Sequence, residues 1–152
     1  MDILTFQYCP KLVVLNEAGS HVLLCRRKGE QDYDSVFSLI GGKMEHRDSS
    51  IVEALHREKS EEVGENFKVK VLPYYSVDVL FIKKDGSHMI LPHFLARHTE
   101  GEIVLSEEYS EYAWVRLSDV SGYAPKIANI SWIVPALVRI VSVAAEKDFV
   151  EI

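Results

Sequence analysis

The stretch from residue 39 to residue 64 constrains the fold more than any other part of this chain. It opens with the glycine pair Gly41 and Gly42, directly after the apolar run 36–40. Because glycine carries no Cβ, the backbone at this pair can turn sharply and come close to a ligand. A short polar loop follows. The pattern therefore predicts a buried strand, a tight turn and a loop that leads into the next element.

That next element is a helix whose two ends can be predicted from the sequence. Ser50 and Glu53 stand in the S-x-x-E relation of a capping box, which predicts a helix that begins near Ile51. Gly64 is a natural residue to end the helix after Val63, because glycine adopts the C-terminal cap conformation without steric penalty. The helix spans about three and a half turns at 3.6 residues per turn.

Besides the capping residue Glu53, three glutamates lie on this helix, and two of them fall on its apolar side. At about 100° per residue, Glu58 and Glu62 share a half-buried arc with Ile51 and Leu55, and Glu61 lies beside them. Like charges at i, i+4 cost roughly 0.2 to 0.5 kcal/mol on an exposed helix and more when they are partly desolvated. A solvated charged face explains Glu61 but not the other two. A hard divalent cation with oxygen ligands would relieve their repulsion, so we interpret the cluster as a metal site.

At these residues the chain resembles the Nudix (MutT-like) hydrolases, whose box reads G-x5-E-x7-R-E-U-x-E-E-x-G-U, where U is aliphatic. Gly42 matches the first glycine, Arg57 and Glu58 the central pair, and Gly64 the last glycine. The acidic pair of the box is matched as well. Agreement at this many typed positions across one strand, loop and helix is far more specific than a lone glycine motif.

The chain departs from the box in its loop and at two packing positions. The spacing from the first glycine to the arginine is one residue longer than in the family, and the extra residue fits best in the loop 45–50. The loop glutamate is then replaced by Asp48 or Ser49, depending on where the gap is placed. Lys59 and Glu65 stand where aliphatic residues are usual. The helix carboxylates remain intact.

Length and composition predict one soluble domain over residues 1–152, because 47% hydrophobic and 26% charged residues are ordinary for a globular protein. A formal net charge of -6 disfavours a non-specific grip on polymeric nucleic acid. No apolar run reaches the roughly 18 to 20 residues that span a bilayer, and the N-terminus lacks the pattern of a secretory signal. Cys9 and Cys25 lack metal-ligand spacing and are expected to be reduced thiols, so we expect a cytoplasmic protein, monomeric or homodimeric.

Outside the box, the pattern alternates β-rich runs with turns. Predicted strands cover residues 11–16, 21–26, 67–72, 74–82, 88–98 and 113–117. The polar segment 29–35 is predicted to be a loop that overhangs the site. A second helix is predicted over residues 130–147, with Pro135 near its first turn. Two helices and a mostly antiparallel sheet indicate an α/β (α+β) fold, and the resemblance implies the Nudix αβα sandwich over essentially residues 5–145.

The resemblance also implies a reaction. It points to a Mg²⁺-dependent pyrophosphohydrolase, with Mn²⁺ as a possible substitute, acting on a nucleoside diphosphate linked to another group, most simply a nucleoside triphosphate. Glu58 and Glu62 would be the main metal ligands, Glu61 would ligate directly or through water, and the Gly41 carbonyl would add an oxygen. Arg57 would orient Glu58. The main alternative is a Nudix-fold binding or regulatory module that has lost turnover, which the irregular loop motivates.

Four further residues are candidates for contact with the reacting molecules. Arg26 stands for the basic strand end 26–28, of which one residue meets substrate phosphate unless the whole end is simply solvated. Lys43 directly follows the glycine pair. Glu111, in the acidic segment 107–111, is a candidate general base or a solvated residue. Asn129 either reads a purine edge, as the resemblance implies, or caps the second helix.

Overall fold

The computed structural model describes residues 2–152. They form one mixed sheet with a helix on each face. The strands are β1 (Gln7–Tyr8), β2 (Lys11–Leu15), β3 (His21–Arg27), β4 (Phe37–Ser38), β5 (Ile40–Gly41), β6 (Lys68–Val71), β7 (Val77–Ile82), β8 (His88–Glu100), β9 (Tyr109–Arg116) and β10 (Val150–Glu151). The helices are α1 (Ile51–Val63) and α2 (Ile130–Val138), and short 3-10 turns follow β9 and α2. Neither helix has the length and apolar character that a bilayer crossing requires.

The alternation of side chains along β2 divides the interior into two cores. Leu12 and Val14 pack on the α1 side with Leu55, whereas Val13 packs on the α2 side with Ile133. Each of these side chains is at most 1% exposed. Full burial of a side chain of this size contributes roughly 1.5 to 3 kcal/mol. The predicted αβα sandwich is therefore confirmed, because the sheet buries both of its faces against helices.

The long strand β8 organises the sheet. One of its edges pairs in parallel with β1 and β2, and the other pairs antiparallel with β7 and then β6. Its residue His93 lies opposite Lys11 of β2 on one side and Val77 of β7 on the other. β3 joins the far edge of β2 as the predicted hairpin partner.

The first helix begins and ends where the sequence predicts. The Ser50 hydroxyl accepts a hydrogen bond from the Glu53 amide at 3.1 Å, which is half of the predicted capping box. The other half differs, because the Glu53 carboxylate accepts from the amide and hydroxyl of Ser49. The Gly64 amide donates to Ser60 O and closes the C-terminal end.

The prediction that the second helix continues to Lys147 is wrong, because α2 ends at Val138. β-branched residues such as Val141 follow, and their helix propensity is low. The chain then returns to the sheet, where the Ile152 amide donates to Val69 O at 2.9 Å. Ile152 is 6% exposed, so burial in the α1-side core accompanies this pairing.

Two smaller predictions also need correction. Pro135 is the sixth residue of α2 rather than part of its first turn. The strand predicted to begin at Ala113 begins at Tyr109, so Glu111 lies within β9 and not in a loop before it.

Candidate active site

A cavity of about 630 Å³ lies where the glycine turn meets α1, β8 and α2. One end is polar and contains Lys11, Arg27, Gly41, Lys43, Glu58, Glu61, Glu62 and Glu108. The apolar part of the lining, which we call the apolar end, comes from Val79, Phe81, Met89, Leu91, Ile130 and Ile133, and Lys83 also lines the cavity. The predicted overhanging loop contributes residues 30–33 to the lining. The volume is in the range of small-molecule sites, and the lining offers both charged and apolar groups to a ligand.

A second hollow, of about 740 Å³, lies at the end of the β2–β3 hairpin near Trp114. Glu17 is the one carboxylate among its lining residues, and neither the glycine turn nor α1 reaches it. The chemistry of the chain is therefore concentrated in the first cavity.

The glycine pair is required because other atoms occupy the space of a side chain. A Cβ at Gly42 would fall on the Glu58 carboxylate. A Cβ at Gly41 would collide with Pro10 O, and the φ of +134° at Gly41 is one that L side chains rarely adopt. The turn thus lets the backbone and a helix carboxylate approach each other closely.

Glu62 is buried against this turn with both carboxylate oxygens engaged. The Gly41 amide donates to its Oε2 at 2.7 Å, and the Tyr109 hydroxyl donates to its Oε1 at 3.1 Å. Only 4% of the residue is exposed. Burial raises the pKa of Glu62 to about 8, against the opposing effects of Lys11 and the Gly41 amide. A nearby cation is therefore needed to keep this carboxylate ionised at neutral pH.

Arg57 ties the box loop to Glu58. Its Nε and Nη2 each donate to Asp48 at 2.9 Å in a bidentate pair, and its Nη1 donates to Glu58 Oε1 at 2.8 Å. The hydrogen bonds from Arg57 hold the pKa of Asp48 at about 2. Asp48, not Ser49, therefore stands as the loop carboxylate of the box. Arg57 is absent from the cavity lining and acts through Glu58.

The atoms at the polar end that could bind a metal ion are carboxylate and carbonyl oxygens, the ligands that Mg²⁺ and Mn²⁺ prefer. Burial also raises the pKa of Glu58, so its carboxylate too is better stabilised beside a cation. Glu61 is half exposed and pairs with Arg47 and Arg57 at 3.3 Å. Because Gly42 has no Cβ, the Glu58 carboxylate can occupy the space beside it. The residues fit a divalent cation.

The ligand shell is not ready-made, however. Within residues 2–152, no three His, Cys, Asp or Glu side chains already converge as a metal cluster. The Gly41 carbonyl, a predicted ligand, accepts a hydrogen bond from Lys11 Nζ at 3.0 Å. The carbonyl oxygen has a second lone pair, but a bound divalent ion would repel the ammonium beside it.

The structure brings two of the four further candidates to the cavity and leaves two outside. Lys43 and Asn129 line it. Arg26 and Glu111 do not, because they face each other across β3 and β9 with Arg26 Nη1 3.6 Å from Glu111 Oε1. Arg27, the next residue along β3, lies in the lining instead.

Sequence reasoning did not single out four residues at the polar end. Lys11, Arg27 and Glu108 line the cavity, and Tyr109 holds Glu62. Arg27 Nε is buried and has no hydrogen-bond partner among residues 2–152. Strand alternation could have separated Arg27 from Arg26, since odd residues of β3 such as Cys25 face the α1 side.

Asn129 does not cap α2 in the structure. It has helical φ and ψ and makes no side-chain cap hydrogen bond. Its Oδ1 accepts from the Trp132 indole at 3.2 Å, which leaves the amide nitrogen as a donor at the cavity. Its predicted role as a purine reader stays a prediction.

Comparison with known proteins is consistent with this geometry. The sequence matches the NUDIX domain family over residues 10–135. It is 31% identical over 123 residues to the nucleoside triphosphatase NudI of Klebsiella pneumoniae (strain 342), an alignment that covers 76% of this chain and 84% of that protein. The crystal structure of a MutT protein from Methanosarcina mazei Go1 superposes with a TM-score of 0.69 at 23% identity, and the match covers 93% of this chain and 96% of that one. The NUDIX domain of Shewanella oneidensis NrtR, solved with ADP ribose, gives a TM-score of 0.69 at 17% identity over 91% of this chain and 90% of that one.

Proposed function

The chain belongs to the NUDIX domain family and is a hydrolase of phosphoanhydride bonds, and we propose that it cleaves a nucleoside triphosphate to a nucleoside monophosphate and pyrophosphate with the help of Mg²⁺ or Mn²⁺. The observation that carries the proposal is the burial of Glu62 against the glycine turn beside Glu58. Two carboxylates that share a desolvated corner need a cation between them and their substrate. The name of the Klebsiella pneumoniae relative supports a triphosphate as the substrate class.

The polar end of the cavity suits a polyphosphate chain. Lys11, Arg27 and Lys43 bring three cationic groups to it. Arg27 lines the cavity with a planar guanidinium, whose N–H groups can pair with phosphate oxygens. Arg27 Nη2 already pairs with Glu30 at 3.2 Å, which holds the guanidinium in place.

Glu58 and Glu62 would be the main ligands of the divalent ion, and Glu61 would bind it directly or through water. The Gly41 carbonyl would supply a further oxygen ligand. Such an ion supplies charge neutralisation on the phosphates and acidification of the attacking water. Arg57 keeps the Glu58 carboxylate turned to the glycine turn.

Glu108 is the proposed general base. It lines the cavity, its charge helps to raise the pKa of Glu62, and its carboxylate forms no hydrogen bond within the described part of the chain. An unpaired carboxylate at the rim can accept a proton from water without first breaking an ion pair. Glu58, whose carboxylate is held by Arg57, is the second candidate.

The apolar end would take the base of the nucleotide. Met89, Leu91 and Ile133 offer apolar side chains there, and Asn129 lines the cavity as well. We propose that the Asn129 amide nitrogen donates to an acceptor on the edge of a purine, since Oδ1 is already bonded to the Trp132 indole.

A substrate panel tests the proposal. Each common ribo- and deoxyribonucleoside triphosphate, ADP-ribose and a dinucleoside tetraphosphate should be incubated with the protein and Mg²⁺, and the nucleotide products, pyrophosphate and phosphate should each be measured. We expect pyrophosphate release from triphosphates that stops on addition of EDTA. Nucleotide binding without any turnover would refute the proposal and favour a binding module. Turnover confined to ADP-ribose would retain the hydrolase and overturn the substrate.

A further inference from the structure

One buried histidine of the cavity has no part in the chemistry described above. His93 lies on the face of β8 that also presents Met89 and Leu91 to the cavity, and only 7% of it is exposed. Its Nδ1 lies 3.0 Å from Val77 O. A carbonyl oxygen can only accept, so Nδ1 carries the proton.

The other ring nitrogen is therefore an acceptor. Burial, helped by the charge of Lys11, lowers the pKa of His93 to about 4 against the opposing effect of the Val77 and Leu91 backbone, so the ring is neutral at physiological pH. With Nδ1 protonated, Nε2 presents a lone pair.

The ring that carries this lone pair lines the cavity. Among residues 2–152, the one side-chain hydrogen bond of His93 is the one that Nδ1 makes, and no group donates to Nε2. A buried acceptor in this position gains from a ligand that brings a donor.

The position of His93 along the cavity narrows the choice of donor. Its register partner Lys11 lies one strand away, about 4.8 Å between strand axes, and belongs to the polar end. Leu91, two residues or about 7 Å along the same strand, belongs to the apolar end. His93 thus marks the boundary between the two ends. In a nucleoside triphosphate the sugar lies between the phosphates and the base.

Phosphate is excluded as the partner, because phosphate oxygens and a neutral Nε2 are both acceptors. A sugar hydroxyl is a donor and lies at the right point of the ligand. We infer that His93 is a specificity-determining residue that reads the sugar of the nucleotide, with Nε2 accepting a hydrogen bond from a ribose hydroxyl. This inference rests on the proposed function, since it assumes a nucleotide in the cavity.

Equilibrium binding tests the inference without requiring turnover. Non-hydrolysable triphosphates of one base, in ribo, 2′-deoxy and 3′-deoxy forms, should be titrated into the wild type and into His93→Phe, which keeps a ring and removes both nitrogens. In the wild type we expect loss of one hydroxyl to weaken binding about five- to tenfold, the effect of one well-placed hydrogen bond. In His93→Phe the same hydroxyl should make less than a twofold difference.

Two further variants keep the test decisive. His88→Phe makes the same change on the same strand outside the cavity lining and should retain the preference for the hydroxyl. His93→Gln keeps a donor for Val77 O and an acceptor, so it should recover part of the preference if His93→Phe folds poorly. An unchanged preference in His93→Phe, or equal binding of all three sugars by the wild type, would overturn the inference while leaving the proposed function standing. If none of the triphosphates binds, the proposed function is refuted, and the inference that rests on it is refuted as well.

Discussion

Replacement of Glu62 by glutamine removes a charge from the buried corner and preserves its shape. The amide oxygen can accept from the Gly41 amide as Oε2 does now. The amide nitrogen can donate to the Tyr109 hydroxyl oxygen, because a phenol both donates and accepts. Neither neighbour is left unpaired, so the substitution isolates the effect of ionisation.

The magnitude follows from the pKa of Glu62, which burial raises from 4.5 to about 8. Between these values the native state holds a proton that the unfolded state has released, so the free energy of unfolding falls as pH rises. At about 1.4 kcal/mol per pH unit, the loss reaches at most about 3 kcal/mol at pH 7. The Glu62→Gln protein has no such proton to lose and should be the more stable of the two by up to this amount at pH 7 in EDTA.

Urea denaturation in EDTA at pH 5, 6, 7 and 8 measures this difference. The wild-type curve should decline with pH relative to the variant, and a Glu17→Gln protein, which loses the same charge at an exposed position, should follow the wild type. With Mg²⁺ present, hydrolysis by Glu62→Gln should be slower by orders of magnitude. Parallel stability curves for wild type and variant, or near-normal turnover by the variant, would refute the reasoning.

Three further predictions concern the residues around this corner. In steady-state assays, Glu108→Gln should lower kcat at least a hundredfold, whereas Glu111→Gln should change kcat less than twofold. A larger loss of kcat in Glu111→Gln than in Glu108→Gln would show that Glu108 is not the general base. Arg57 holds the pKa of Asp48 at about 2, so the Asp48 carboxylate contributes stability above pH 4 that is lost as pH falls from 4 to 2. The melting temperature of Asp48→Asn should therefore not show this fall between pH 4 and pH 2, and at pH 5 and above it should lie below that of the wild type. Asn129→Ala should change the free energy of unfolding by no more than about 0.5 kcal/mol, since no helix cap is lost. It should reduce the preference for purine over pyrimidine triphosphates in kcat/KM by the equivalent of about 1 to 3 kcal/mol. An unchanged preference would show that Asn129 is not part of the site.

The box could be predicted from the sequence because its determinants are local. The bounds of α1 depend on Ser50 and Gly64, which act within one turn of the helix ends. The predicted arc is buried at Leu55 and Glu62 and half-buried at Glu58, whereas Ile51, the first residue of the helix, is 37% exposed.

The errors arose where distant parts of the chain meet. The end of α2 depends on the pairing of Ile152 with Val69, 83 residues earlier in the sequence, which no local pattern indicates. The choice between Arg26 and Arg27 depends on which face of β3 receives α1. His93 gained a role only when the register placed it between Lys11 and Val77.

Binding of Mn²⁺, measured by electron paramagnetic resonance, tests most directly the claim that α1 and the glycine turn form a divalent cation site. The wild type should bind Mn²⁺, and the doubly substituted Glu58→Gln, Glu62→Gln protein should lose at least tenfold in affinity. A Glu146→Gln protein, changed at an exposed carboxylate far along the chain, should bind as the wild type does. Equal affinity of the wild type and the double variant for Mn²⁺ would contradict the account.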